Sequence, residues 1–211
     1  MTIPVAKPSA GTVAIIVHED GTEEVIRKST IDENGLTVSV KGEVTVKIVD
    51  NAKDFRDVPQ NHWAENSIDF VTSRELFNGT SADSFTPNAP MTRGQLMTVL
   101  ARLEGADTSK NPIQKGMEWA RENGISDGTN PRGTMSRQQL ATMLWRLAGS
   151  PELDTALTAP DAGKVADYAR MAMAWAVENG IMGGYADGTL NPQGTASRAH
   201  VAAMIQRYVN R

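Results

Sequence analysis

Three arginines recur in the same setting: Arg93, Arg137 and Arg198 each follow a hydroxyl residue, Thr92, Ser136 and Ser197. A guanidinium is a planar, permanently charged fork that can hold a carboxylate with two charge-assisted hydrogen bonds. Placed just past a helix N-cap, it adds to backbone N–H groups that already favour an anion. The chemistry these residues could do is therefore recognition of an acidic ligand. Other chemistries find no footing. His18, His62 and His200 are far apart, and none stands at a metal-site spacing with a carboxylate. There is no Ser-His-Asp arrangement, no phosphate-cradling glycine loop and no distinctive carboxylate pair. Asp20-Gly21-Thr22 and Asp187-Gly188-Thr189 read as turns, since a calcium loop needs further acidic positions. With no cysteine, disulfides, thiolate zinc sites and a thiol nucleophile are excluded. The expectation is a non-catalytic chain with no metal and no cofactor.

The elements that must position the arginines repeat with them. Leu96, Leu140 and Val201 lie three residues on, Val99-Leu100, Met143-Leu144 and Met204-Ile205 lie six and seven on, and Leu103, Leu147 and Tyr208 ten on. These offsets share one helical face. Thr92-x-x-Gln95 and Ser136-x-x-Gln139 are capping boxes, and Ser197 has His200 in the glutamine's place. Pro87, Pro131 and Pro192 stand six before each arginine, and Arg102, Arg146 and Arg207 nine after, where a cation can cap carbonyls. Upstream, Phe70, Trp119 and Trp175 open a second matching helix that closes at Gly79, Gly128 and Gly184. The spacing predicts burial of Trp119 and Trp175, whereas Trp63 could equally face a ligand. One unit is thus an aromatic helix, a glycine break, a proline loop and a capped helix, written three times over about 54–105, 106–150 and 158–211.

Residues 1–52 have the other period. Val13–Val17, the Asp20-Gly21 turn and Glu24–Arg27 read as one hairpin; Leu36, Val38 and Val40, then Lys41-Gly42, then Val44, Val46 and Ile48 read as a second. The expected fold is mainly α: three helix-loop-helix repeats in a pseudo-threefold bundle, preceded by a small antiparallel segment of two hairpins. That segment could also be the end of a larger upstream domain. A net charge of −4 argues against nucleic acid, and no apolar run is long enough for membrane insertion. Met1 to Gly11 lacks the apolar stretch of a signal peptide, so an exported precursor would carry one further upstream.

The first copy, with Phe55-Arg56-Asp57-Val58, His62-Trp63-Ala64, Phe77-Asn78-Gly79, Phe85-Thr86-Pro87 and Met91-Thr92-Arg93-Gly94-Gln95-Leu96, resembles the S-layer homology family. The resemblance covers about residues 54–211. It implies a helical pseudo-trimer, outside the cell at the wall, that anchors a surface protein by non-covalent binding of an anionic, often pyruvylated, secondary cell-wall polysaccharide. Arg93, Arg137 and Arg198 take the position implicated in holding the acid. Trp63 would stack on a pyranose, and Gly79, Gly128 and Gly184 would let the sugar approach the backbone. The alternative is a protein–protein scaffold or lattice segment that self-associates without glycan. Three departures stand out. The middle copy has five residues fewer between Gly128 and Arg137, Pro112 replaces the aromatic of Trp63 and Tyr168, and Gly94-Gln95 and Ala199-His200 stand where an Ala-Glu pair is usual.

Overall fold

The computed structural model describes residues 1–211. Two compact units meet at Pro87 and Asn88, inside the first copy of the motif, with the last two residues divided between them.

The first unit holds six strands: β1 (Thr2–Ile3), β2 (Thr12–Val17), β3 (Glu23–Val25), β4 (Thr30–Asp32), β5 (Gly35–Thr37) and β6 (Thr45–Asp50). They form two antiparallel three-stranded sheets, ordered β1-β5-β4 and β3-β2-β6. The first expected hairpin exists: β2 and β3 pair with Ile15 opposite Val25, around a turn in which Thr22 donates to Asp20 Oδ1. The second does not. β5 pairs back onto β4 across Glu33-Asn34, with Gly35 at φ 127°, and β6 runs along the free edge of β2 from Thr45 opposite Val17 to Asp50 opposite Thr12. The cause is β2 itself. Val13, Ala14 and Ile15 are all buried, so this strand is apolar on both faces and sits centrally, with a neighbour on each edge. On one side Ala14, Ile26, Leu36 and Val38 cluster, with Val46 and Ile48 against them; on the other lie Val13, Ile15, Val25 and Val49.

Helix α1 (Glu65–Ser73) belongs to this unit and buries Ile68, Phe70 and Val71. The expectation of a mainly helical bundle prefaced by two hairpins is therefore corrected. The chain carries six α-helices and two three-stranded antiparallel sheets, and the strands share a unit with the first helix.

The second unit contains α2 (Arg93–Leu103), α3 (Pro112–Glu122), α4 (Arg137–Leu147), two 3-10 turns (Ala162–Lys164 and Asp167–Ala169), α5 (Arg170–Glu178) and α6 (Arg198–Val209). Both glutamine capping boxes form, at Thr92 with Gln95 and at Ser136 with Gln139. Gly105 and Gly149, at φ 81° and 86°, follow α2 and α4 in the left-handed conformation a helix terminus asks for. Two of the capped helices pack on the aromatic helix that follows, α2 on α3 and α4 on α5. Gly116 permits the first of these: a Cβ there would lie 2.6 Å from Thr98 Cα.

The three capped helices spring from one ring of backbone hydrogen bonds. Met135 N–H donates to Met91 O (2.9 Å), Ala196 N–H to Met135 O (2.8 Å) and Met91 N–H to Ala196 O (3.0 Å). All three residues are buried. The ring sets α2, α4 and α6 about a common centre with the anchor arginines at its rim.

Candidate functional site

The arginines are first of all ties between consecutive motif segments. Arg93 N–H donates to Gly133 O, Arg137 N–H to Gly194 O and Arg198 N–H to Ala89 O, each at 2.9 Å. The next amides do the same, Gly94 to Pro131 O and Gln138 to Pro192 O, and the third is taken by the cap. At α2 and α4 the expected free amides are thus spent inside the protein, which leaves the guanidinium groups there to meet an acid.

Two of those groups can be followed atom by atom. Arg93 Nε donates to Thr129 O (3.2 Å), and Nη2 reaches Ser126 Oγ (2.9 Å) and Asp127 Oδ1 (2.8 Å). Arg137 Nε donates to Leu190 O (2.7 Å) and Nη2 to Gly183 O (2.9 Å). Thr129 and Leu190 each precede an Asn-Pro pair whose asparagine has positive φ, so the two Nε bonds are the same bond in two segments. The remaining contacts differ. Arg93 closes on a carboxylate; Arg137 meets carbonyls and, 5.2 Å away, the ring of Tyr185.

Arg137 is 4 % exposed, and burial pulls its guanidinium below the usual arginine range. Its Nη1 makes no bond to the protein. The side-chain atoms sealed from solvent without a partner are Arg27 Nε and Ser29 Oγ, so Nη1 opens outward. The buried cation meets carbonyl dipoles directly, with Tyr185 and Asp161 supporting its charge from further off, and one donor nitrogen is unused. Tyr185 is exposed and lies edge-on to His200, 6.5 Å between ring centres. His200 takes the capping glutamine's role, its N–H donating to Ser197 Oγ and its Nδ1 3.0 Å from that oxygen. Burial, then Arg137, lowers its pKa. In the sequence Tyr185 is marked only as an aromatic after Gly184, and His200 only as a histidine at a capping-glutamine position.

The other expected site residues are scattered. Arg198 is buried, 6 % exposed. Trp63 lies in the first unit, exposed at 59 %, and Tyr168 in the second at 53 %. These are the two most exposed aromatics, and each stands seven residues before a buried one, Phe70 or Trp175. Trp119 is half-buried. Gly79 serves packing, since a Cβ there would lie 2.7 Å from the Phe55 ring. Gly128 has φ 69° in a turn where Thr129 N–H donates to Asp127 Oδ1, which matches Gly188 (φ 79°) in the Asp187–Thr189 turn, not Gly184. Gly184 is exposed on the loop beside Tyr185. Of the late-helix arginines, Arg146 and Arg207 cap carbonyls, those of Ile125 and Ile181, and Arg102 donates to Thr108 Oγ1. No group of three or more His, Cys, Asp or Glu residues could hold a metal ion, and no helix is long and apolar enough to cross a membrane.

A family model, the S-layer homology domain, matches residues 54–97 and 160–202, the segments carrying Arg93 and Arg198. The chain is also 26 % identical over 173 residues to an amylopullulanase of Thermoanaerobacterium thermosulfurigenes; the match takes in 72 % of this chain and 9 % of that protein's length. The matched domain supports a general role in attachment at the cell wall, and its kind is an anchoring module, not a catalytic one.

Proposed function

We propose that the chain carries three S-layer homology repeats, about 54–105, 106–150 and 158–211, and holds a larger exported protein on the cell surface. It does so by binding an anionic secondary cell-wall polysaccharide whose acid is a pyruvate ketal. The observation that carries this reading is Arg137: a guanidinium 4 % exposed, with no carboxylate in contact and Nη1 turned outward beside exposed Tyr185. A ketal carboxylate would complete the guanidinium's bonding, while an aromatic face supplies the apolar platform a pyranose C–H face prefers. Exposed Trp63 and Tyr168 offer two more such platforms. The chain itself acts by binding and performs no reaction.

Sedimentation with purified cell wall tests the reading. The protein is expected to pellet with wall that retains its pyruvylated polysaccharide and to stay in solution once that polymer is extracted. Equal retention on both walls would overturn it.

A further inference from the structure

The middle segment's shortened loop does more than trim the surface. Ile125 and Ile181 mark the same place, because each carbonyl accepts from the late-helix arginine of its own segment, Arg146 or Arg207. Asn130 and Asn191 mark the same place further on, each at positive φ with the amide of Gly133 or Gly194 bonded back to its carbonyl. Asn130 comes five residues after Ile125, and Asn191 ten residues after Ile181. In the longer loop, Gly183 O meets Arg137 Nη2, Tyr185 follows, and the Asp187-Gly188-Thr189 turn stands exposed with Asp187 bonded only within its own turn. In the shorter loop Tyr185 has no counterpart, and the Asp127-Gly128-Thr129 turn is drawn back onto the arginine. Asp127 Oδ1 then lies 2.8 Å from Arg93 Nη2. Ser126, buried, fills the next position with its hydroxyl 2.9 Å from the same nitrogen.

We propose that Asp127 is a built-in carboxylate that neutralises Arg93, so that the Arg93 junction takes no acidic ligand while the Arg137 junction does. The geometry favours this on three counts. Asp127 is held in place independently of Arg93 by the Thr129 amide, at 3.0 Å, so it is preorganised as a partner. An acid reaching Nη1, the nitrogen left open here as at Arg137, would meet a guanidinium whose charge Asp127 already offsets at Nη2. With Asp127 left in place, a second acid would meet a like charge beside a neutralised cation. The Arg93 and Arg137 junctions are therefore unequal by construction, and the five-residue difference in loop length is what makes them so. The inference rests on the acid-binding reading above for the identity of the ligand, but not for the pairing of Asp127 with Arg93.

The test uses the full chain and follows the Arg93 and Arg137 Nε–H resonances by NMR. The probes are a synthetic methyl hexoside bearing a 4,6-pyruvate ketal and, separately, sodium acetate. In the unaltered protein the ketal sugar is expected to shift Arg137 and leave Arg93 still. In Asp127→Ala it should shift both, with the calorimetric stoichiometry rising by one. Asp127→Asn keeps an acceptor for the Thr129 amide should the alanine loosen the turn, and is expected to move Arg93 in the same direction by a smaller amount. An Arg93 signal that shifts equally with and without Asp127, or that stays still in both folded variants while Arg137 responds, would overturn the proposal. If the sugar moves neither arginine in any variant, while acetate moves Arg93 only after Asp127 is replaced, the pyruvylated-glycan reading fails and the role of Asp127 stands.

Discussion

The C-termini of α1, α3 and α5 are one structural position built in two ways. In α3 and α5 the helix ends at Asn123-Gly124 and Asn179-Gly180. Each asparagine side chain donates to the carbonyl four residues back (2.8 Å to Trp119 O, 2.9 Å to Trp175 O), and each glycine takes φ near 65–68°. In α1 the same two places hold Arg74 and Glu75. Arg74 Nη1 still reaches the carbonyl four back, Phe70 O, at 3.3 Å, so the asparagine's task is kept. The longer side chain then continues into the strands. Nε donates to Ser29 O (3.0 Å), Nη1 to Ala10 O (3.1 Å) and Nη2 to Thr12 O (3.3 Å), with the guanidinium carbon 3.7 Å over the Phe70 ring. Asn51, just past β6, caps Ser73 O at 2.7 Å. A helix that ends in solvent needs only a cap; one that ends against a sheet carries a peg. The difference shows why residues 1–52 are not a detachable preface but part of the packing of the first helix.

Breaking that peg should have the largest effect. Arg74 is fully buried, has no carboxylate partner and, though burial brings its pKa down to about 9, stays charged at neutral pH. Arg74→Asn would restore the cap used by the other helices but leave three strand-region carbonyls unpaired in a space the guanidinium filled. Each such loss costs about 1–3 kcal/mol, so destabilisation of the first unit by roughly 3 kcal/mol or more is expected. Hydrogen exchange gives the readout. Amides of β2 should lose protection, while those of α4 keep theirs. Equal loss in both, or none in either, would deny Arg74 its special role.

Next in size is a charge contrast one residue before the aromatic. Asp69 on α1 lies near Asp50 and Asp54 from the strand side and Glu65 on its own helix. Burial first, then these like charges, pushes its pKa up to about 6. Glu118 holds the same place on α3, where bonds from Gln114 and Lys115 lower its pKa. The signs are opposite. As pH rises from about 4 to 6 the unfolded chain releases the Asp69 proton before the folded one does, so stability falls across that window and is flat above it. Asp69→Asn should remove this slope and stabilise the first unit at neutral pH by on the order of 1 kcal/mol, a figure reduced for the solvent that reaches the site. Whatever Glu118 contributes is lost instead as pH falls, so Glu118→Gln should bring no gain. Denaturant titrations of the three proteins at pH 4 and pH 7 separate these outcomes.

What could be read from the sequence follows the range of the interaction. Caps, glycine stops and the helix spacing are local, and Thr92, Ser136, Gly105 and Gly149 act as their chemistry implies. Strand partners are not local. Leu36–Val40 and Val44–Ile48 alternate well enough to suggest a hairpin, yet the two-sided apolar β2 draws β6 to its own edge, and Glu33-Asn34 is the true turn into β5. The candidate site divides the same way. The arginine positions were legible because they repeat, but not their burial, nor that an aspartate four residues before a proline would fold onto Arg93, since that depends on loop length measured in three dimensions.

The smallest effect expected is also the one that would restore likeness between the helix ends. Glu75 has φ 56° where Gly124 and Gly180 have 68° and 65°. Its amide bonds to Thr72 O (3.1 Å), and Leu76 N–H donates to Val71 O (3.0 Å) as Ile125 N–H does to Ala120 O (2.8 Å), so the backbone turn is shared and only the residue differs. The left-handed conformation costs a side-chain-bearing residue about 1–2 kcal/mol, partly offset in a glycine variant by the greater freedom of the unfolded chain. The Glu75 side chain is exposed and makes no hydrogen bond or ion pair that would be lost. Glu75→Gly should therefore stabilise the first unit by about 0.5–1 kcal/mol, read as a rise in denaturation midpoint with an unchanged slope. In the Arg74→Asn background the same change would complete the Asn-Gly terminus of α3 and α5. If the loss caused by Arg74→Asn persists there nearly in full, the peg acts through the strands and not through the helix end.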